Sequence, residues 1–119
     1  MRRALVVDDT TIMRVIVSRI MRDADFDIIE ATNGGDAIQM FYKEKPDIVL
    51  MDLNMDGMDG TTAIRGILQI DKNARIVVIS ATSDAHVVVN VLRIGAKRYV
   101  TKPFTPEKLL DAVNAALAL

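Results

Sequence analysis

A doubly wound α/β domain is the fold class this sequence predicts, and three observations predict it. Apolar runs of strand length recur five times along the 119 residues. Segments with helical apolar spacing follow each run. Acids, a hydroxyl and a lysine gather at the carboxyl ends of those runs. Strand–helix units in series give parallel strands with right-handed crossovers, which place helices on both faces of an open sheet.

The first strand candidate is ALVVD (4–8). A helical segment of about 11–23 follows and puts Ile12, Val15, Ile16 and Ile20 on one side. DIIEA (27–31) is the second strand; the second helix starts near Asn33 and carries Ala37, Ile38 and Phe41. DIVLM (47–51) precedes a third helix at about 60–70 with Ile64, Ile67 and Leu68. RIVVIS (75–80) precedes a fourth, from about Asp84 to Ile94, with Gly95 well placed just past its end. RYVT (98–101) is the last strand. Thr105 as N-cap and Pro106 at the first helical position open the fifth helix, which carries Leu109, Leu110, Val113 and Leu117. Three strands are continuous in Val, Ile and Leu, as strands buried on both faces should be. The prediction is one domain, 1–119, with a (βα)5 five-stranded parallel sheet of order 2-1-3-4-5, flavodoxin-like.

Half the residues are hydrophobic and 26% are charged, with a net charge of −1. That composition belongs to a folded globular chain and carries no electrostatic footprint for nucleic acid. The absence of cysteine excludes disulfides and thiolate chemistry. MRRALVVDD reaches its acids too soon for a signal peptide. No apolar run approaches the roughly 18 residues of a membrane span. A cytoplasmic protein without membrane insertion is expected.

Ligands of open α/β sheets bind outside the carboxyl ends of the strands, where strand order reverses. Asp8 and Asp9 end the first strand, Asp52 the third and Ser80 the fourth; Lys102 follows the fifth. With adjacent strands about 4.8 Å apart, these groups converge. Crowded carboxylates repel, so their pKa values should rise, and a hard divalent cation such as Mg²⁺ would relieve the repulsion. Asp52 beside a cation, a hydroxyl and an ammonium suits nucleophilic attack on phosphorus and an aspartyl phosphate product. Each residue also has a plainer reading: Asp9 as cap of the first helix, Ser80 as an ordinary strand-end hydroxyl, Lys102 as a solvated lysine.

DLNMDGMDG (52–60) also carries the opening spacing of a calcium-binding EF-hand loop. Position 12 of such a loop needs a bidentate Glu, and Ala63 stands there; the loop also needs a preceding helix, where DIVLM reads as a strand.

VVDDTTIMR, DIVLMDLNMDGMDG, VISAT and YVTKPF resemble the four signature segments of the receiver domains of two-component response regulators. The resemblance covers the whole chain and in motif detail is nearest to stand-alone chemotaxis regulators. It implies that Asp52 is the phosphoacceptor, Asp9 a direct Mg²⁺ ligand and Asp8 the acid that holds metal-bound water. Asn54 stands where a backbone carbonyl completes the metal site. Ser80 is implied to turn toward the phosphoryl group, Tyr99 to follow it, Ala81 to leave access to phosphorus and Lys102 to pair with phosphate. The Lys102–Pro103 bond is implied to be cis. Asp56 departs from the proline usual in receivers, which creates the EF-hand-like spacing; it reads either as an extra carboxylate near the metal or as an exposed turn residue.

The resemblance further implies a histidine kinase as donor. It implies a separate downstream protein bound through the fourth helix, fifth strand and fifth helix, with a homodimer as another occupant of that face. It makes the chain a signalling phosphoacceptor rather than an enzyme acting on external substrates. Phosphatases of the haloacid dehalogenase type need a second Asp where this chain has Asn54. A calcium-binding or unphosphorylated interaction module of the same fold is the alternative. His86, at the start of the fourth helix, reads as a surface residue. The fourth helix is apolar nearly all round, so some of its valines should face outward.

Overall fold

The computed structural model describes residues 2–55 and 59–119. Among these, five parallel strands alternate with five helices. The strands are β1 (Arg3–Val7), β2 (Asp27–Ala31), β3 (Ile48–Asp52), β4 (Ile76–Ser80) and β5 (Arg98–Thr101). The helices are α1 (Thr11–Asp23), α2 (Gly34–Glu44), α3 (Gly60–Ile70), α4 (Ala85–Ile94) and α5 (Pro106–Leu117). The strand order is 2-1-3-4-5, the doubly wound order expected from the sequence.

β3 and β4 are buried at every position, and β1 at all but its first. They are the continuous Val/Ile/Leu runs, and they need apolar cover on both faces. One face packs Leu5, Val7, Val49, Met51, Ile76 and Val78 against α2, α3 and α4 through Phe41, Ile64, Ile67 and Val91. The other packs Ala4, Val6, Ile48, Leu50, Val77 and Ile79 against α1 and α5 through Val17, Met21, Leu109 and Val113. β2 and β5, at the sheet edges, are only partly buried.

Local signals set the helix ends. Asn33, Asp59, Asp84 and Thr105 each accept a backbone N–H of the following turn, which satisfies donors that an α-helix leaves unpaired. Gly95, at φ 139°, closes α4 in a conformation other residues avoid. Gly60 opens α3 so close to the end of β3 that a Cβ there would lie 2.6 Å from Leu53 Cα and 2.7 Å from the Asp52 carbonyl. That contact lets α3 begin directly behind Asp52.

One helix face corrects the sequence reading. Ile12, Val15 and Ile16 are 71%, 57% and 43% exposed, while α1 buries Val17, Ser18 and Met21. TIMRVIVSRIMRD carries two overlapping apolar stripes at helical spacing. The sheet takes the one through Met13, Val17, Met21 and Ala24, with Ile20 at its margin. Asp9 as helix cap is a second correction. Thr10 occupies the N-cap position, and its side chain makes no capping hydrogen bond. α4 behaves as its all-round apolarity predicts: Val91 is buried, while Val89 and Leu92 are 50% and 40% exposed.

Candidate functional site

The site lies at the carboxyl edge of the sheet, where β1 and β3 meet and the connections diverge to opposite faces. Asp8 follows β1 directly, and its N–H still donates to Ala31 O of β2 at 3.2 Å. The Asp8 carboxylate accepts the Thr10 N–H at 2.8 Å, a short turn that points it across the sheet edge. Asp52 is the last residue of β3, and its Oδ1 accepts the Asn54 N–H at 3.3 Å. A strand therefore precedes this loop, where an EF-hand would have a helix. Asp56 and Gly57, which carry the calcium-like spacing, lie outside the described residues.

Asp8, Asp9 and Asp52 each offer a carboxylate oxygen, all within 4.8 Å of one another. Asp8 and Asp52 are buried and Asp9 is exposed, so the cluster opens to solvent on one side. Lys102, just past β5, places Nζ 3.6 Å from Asp8 Oδ2 and 3.5 Å from Asp52 Oδ1. Burial pushes the Asp52 carboxyl above its ordinary value, and the Asp8 charge pushes it the same way; Lys102 and the Asn54 N–H pull it down without cancelling the rise.

Three carboxylates against one ammonium leave a formal charge of −2, the charge a divalent cation would balance. The donors are hard oxygens. Their spread is close to the roughly 4.2 Å across an octahedral ion with bonds of about 2.1 Å, so the residues fit Mg²⁺. Asn54 is exposed in the loop beyond Asp52, beside the cluster.

Ser80 ends β4 and is fully buried. Its Oγ accepts the Thr82 N–H at 3.3 Å, and its carbonyl accepts the Lys102 N–H at 2.8 Å. Tyr99, half-buried on β5, donates its hydroxyl to the Thr82 carbonyl at 2.7 Å. One residue, Thr82, thus bonds both Ser80 and Tyr99. The Lys102–Pro103 bond is cis.

Sequence reasoning gave no role to Thr82 or to Arg14. Thr82 acts through its backbone, which no residue type announces. Arg14 is visible in DDTTIMR, but its direction depends on how α1 is rotated.

The order 2-1-3-4-5, with three aspartates at the switch point and a lysine arriving from β5, defines a class: doubly wound domains with an acidic site at the sheet's carboxyl edge. Residues 4–114 match the response regulator receiver domain family. The chain belongs to that family. It is 40% identical to the chemotaxis protein CheY of Thermotoga maritima over 114 residues, covering 95% of each chain. It is 39% identical to the chemotaxis protein CheY of Bacillus subtilis, covering 97% of each. Its fold superposes with a TM-score of 0.89 on the CheX–CheY–BeF3–Mg²⁺ complex from Borrelia burgdorferi, at 34% identity, covering 94% of this chain and 86% of that one. Receiver domains act as signalling phosphoacceptors and bind Mg²⁺ at an aspartate cluster of this kind. Among the described residues no helix is long and apolar enough to cross a membrane.

Proposed function

We propose that this chain is a phosphoacceptor switch of the chemotaxis type. It takes a phosphoryl group from a phosphohistidine kinase onto Asp52 and changes its affinity for a separate protein. The observation that carries this reading is Asp52 itself: a buried carboxylate at a strand end, 3.5 Å from Lys102 and clustered with two further acids.

In this reading an Asp52 carboxylate oxygen attacks phosphorus in line with the departing imidazole nitrogen. Asp9, Asp52 and the Asn54 carbonyl would hold Mg²⁺, and Asp8 would hold a water beside it. The chemistry such an ion would supply is to offset negative charge on the phosphoryl oxygens during transfer. Lys102 exchanges its carboxylate partners for a phosphoryl oxygen. Ser80 Oγ gives up the Thr82 N–H and turns its hydroxyl to the phosphoryl group. Because Thr82 also holds the Tyr99 hydroxyl, that move disturbs the β4–α4 loop and the surface beyond it. The whole of 1–119 acts as one receiver domain in the cytoplasm. The similarity to chemotaxis proteins CheY supports readout by binding.

Incubation with acetyl phosphate and Mg²⁺ is expected to add one phosphoryl group, seen by intact mass spectrometry, and EDTA to prevent it. An interaction module that does not use phosphorylation would take no label under any of these conditions.

The output face is α4 with β5 and α5. Val89 and Leu92 stand exposed on α4. Apolar side chains at a binding patch contribute more than scattered exposed ones. Val89→Asp with Leu92→Ser is expected to weaken the phosphorylated chain's binding to its downstream partner, or to a second copy, by about tenfold while leaving Asp52 labelling intact. Equal loss of labelling and binding would mean that the pair supports the fold rather than the face.

A further inference from the structure

Arg14 lies on the buried side of α1, its side chain only 15% exposed. Nη1 donates to the Asp8 carbonyl at 2.8 Å. Nε lies 3.4 Å from Glu30 Oε1, near the end of β2. Nη2 lies 3.5 Å from Thr11 Oγ1, in the first turn of its own helix. One planar guanidinium therefore spans the end of β1, the end of β2 and the start of α1. Only arginine offers donors in such a fork. The acids on either side of the held carbonyl peptide are Asp8 and Asp9, two of the three that cluster.

We infer that Arg14 is a positioning residue for the cation site. It clamps the backbone between Asp8 and Asp9, so that the two carboxylates are held facing Asp52 before a cation arrives. Glu30 holds the guanidinium in place. The inference rests on the reading of the aspartate cluster as a Mg²⁺ site. Its strength is that position and charge predict opposite signs. A cation near a cation site repels the incoming ion, so deleting Arg14 should tighten binding if its charge is what matters. If Arg14 acts by position, deletion weakens binding although a repulsive charge has gone.

The test is Mn²⁺ and Mg²⁺ titration of the unphosphorylated protein by calorimetry, with amide exchange by NMR on the metal-free protein. Arg14→Met keeps most of the apolar stem. It is expected to weaken Mn²⁺ binding by about tenfold, the low end of what losing a partner behind a metal ligand costs. The Asp8 and Thr10 N–H groups, which donate to Ala31 O and Asp8 Oδ1, are expected to exchange faster by a similar factor without any metal. Arg14→Lys keeps the charge but not the fork; it is expected to remain weakened at least threefold, and it carries the test if Arg14→Met fails to fold. Unchanged or tighter binding by Arg14→Met, or full recovery in Arg14→Lys, overturns the inference while leaving the metal site standing. Wild-type protein that binds neither ion overturns the metal-site reading and this inference with it.

Discussion

Asp52→Asn is expected to abolish phosphoryl labelling and, in metal-free protein at neutral pH, to raise the melting temperature by about 4 °C. The first effect follows from removing the nucleophilic oxygen. The second follows from the field around it. Asp52 is 4% exposed, and burial and the Asp8 charge together raise its pKa above the ordinary 3.8. A carboxyl whose folded pKa is raised binds more protons folded than unfolded. Stability then falls as pH rises through that window, and the cost is fully present above the folded value. Asn has the same shape, can still accept the Asn54 N–H and carries no charge. A rise of about 4 °C corresponds to a gain of about 1 kcal/mol for a domain of this size.

The pH dependence separates this cause from a general packing effect. The advantage of Asp52→Asn should be full at neutral pH, shrink as pH falls through the folded pKa of Asp52 and vanish below the unfolded one. Mg²⁺ should close the gap or slightly reverse it by stabilising the wild type more than the variant, since a cation at tenfold its Kd adds about 1.4 kcal/mol. Persistent label on the variant would place the acceptor elsewhere. A lower melting temperature at neutral pH would mean that Lys102 outweighs burial and Asp8 together.

Much of this site was legible because it is built on strand ends. Continuous apolar runs mark β1, β3 and β4 without ambiguity; β3 and β4 end at a polar residue, and Asp8 directly follows β1. Once the strands are parallel, all those ends share one edge, so the sequence alone assigns Asp8, Asp9, Asp52, Ser80 and Lys102 to it. Helix rotation was less legible. The α1 sequence satisfies two stripes at once, and the choice depends on what the sheet can receive. The same rotation decides whether Arg14 points to solvent or to the Asp8 carbonyl, so missing one meant missing the other. Thr82 was invisible for a different reason. Its contacts with Ser80 and Tyr99 run through the peptide group, which every residue carries, so only the path of the β4–α4 loop reveals them.

Lys102→Ala is expected to move stability and metal affinity in opposite directions. Lys102 Nζ lies within 3.6 Å of both Asp8 and Asp52, and among the described residues it is the cation paired with these carboxylates. Removing it leaves two buried carboxylates facing each other. Breaking a fully buried pair costs about 3–5 kcal/mol. Lys102 is 20% exposed and partly screened, so about 1–2 kcal/mol is the expected loss at neutral pH. Because Lys102 holds the Asp52 pKa down, its removal raises that pKa further, and the loss should shrink as pH falls and Asp52 takes up a proton. Mg²⁺ should behave the other way. The ammonium competes with the cation for the same oxygens, so the variant is expected to bind Mg²⁺ more tightly, by about tenfold, equivalent to about 1.4 kcal/mol. Labelling of Asp52 should persist but slow, since one of the charges facing the phosphoryl oxygens has gone. The phosphorylated variant should no longer gain affinity for its partner, because without Lys102 the phosphoryl group is not held where Ser80 can turn to it and release Thr82 and Tyr99. Thermal melts across pH, calorimetry with Mg²⁺ and partner binding before and after labelling measure the three effects. A variant that melts, binds Mg²⁺ and switches like the wild type would make Lys102 a bystander. One that binds Mg²⁺ more weakly would show that it orders the carboxylates instead of competing for them.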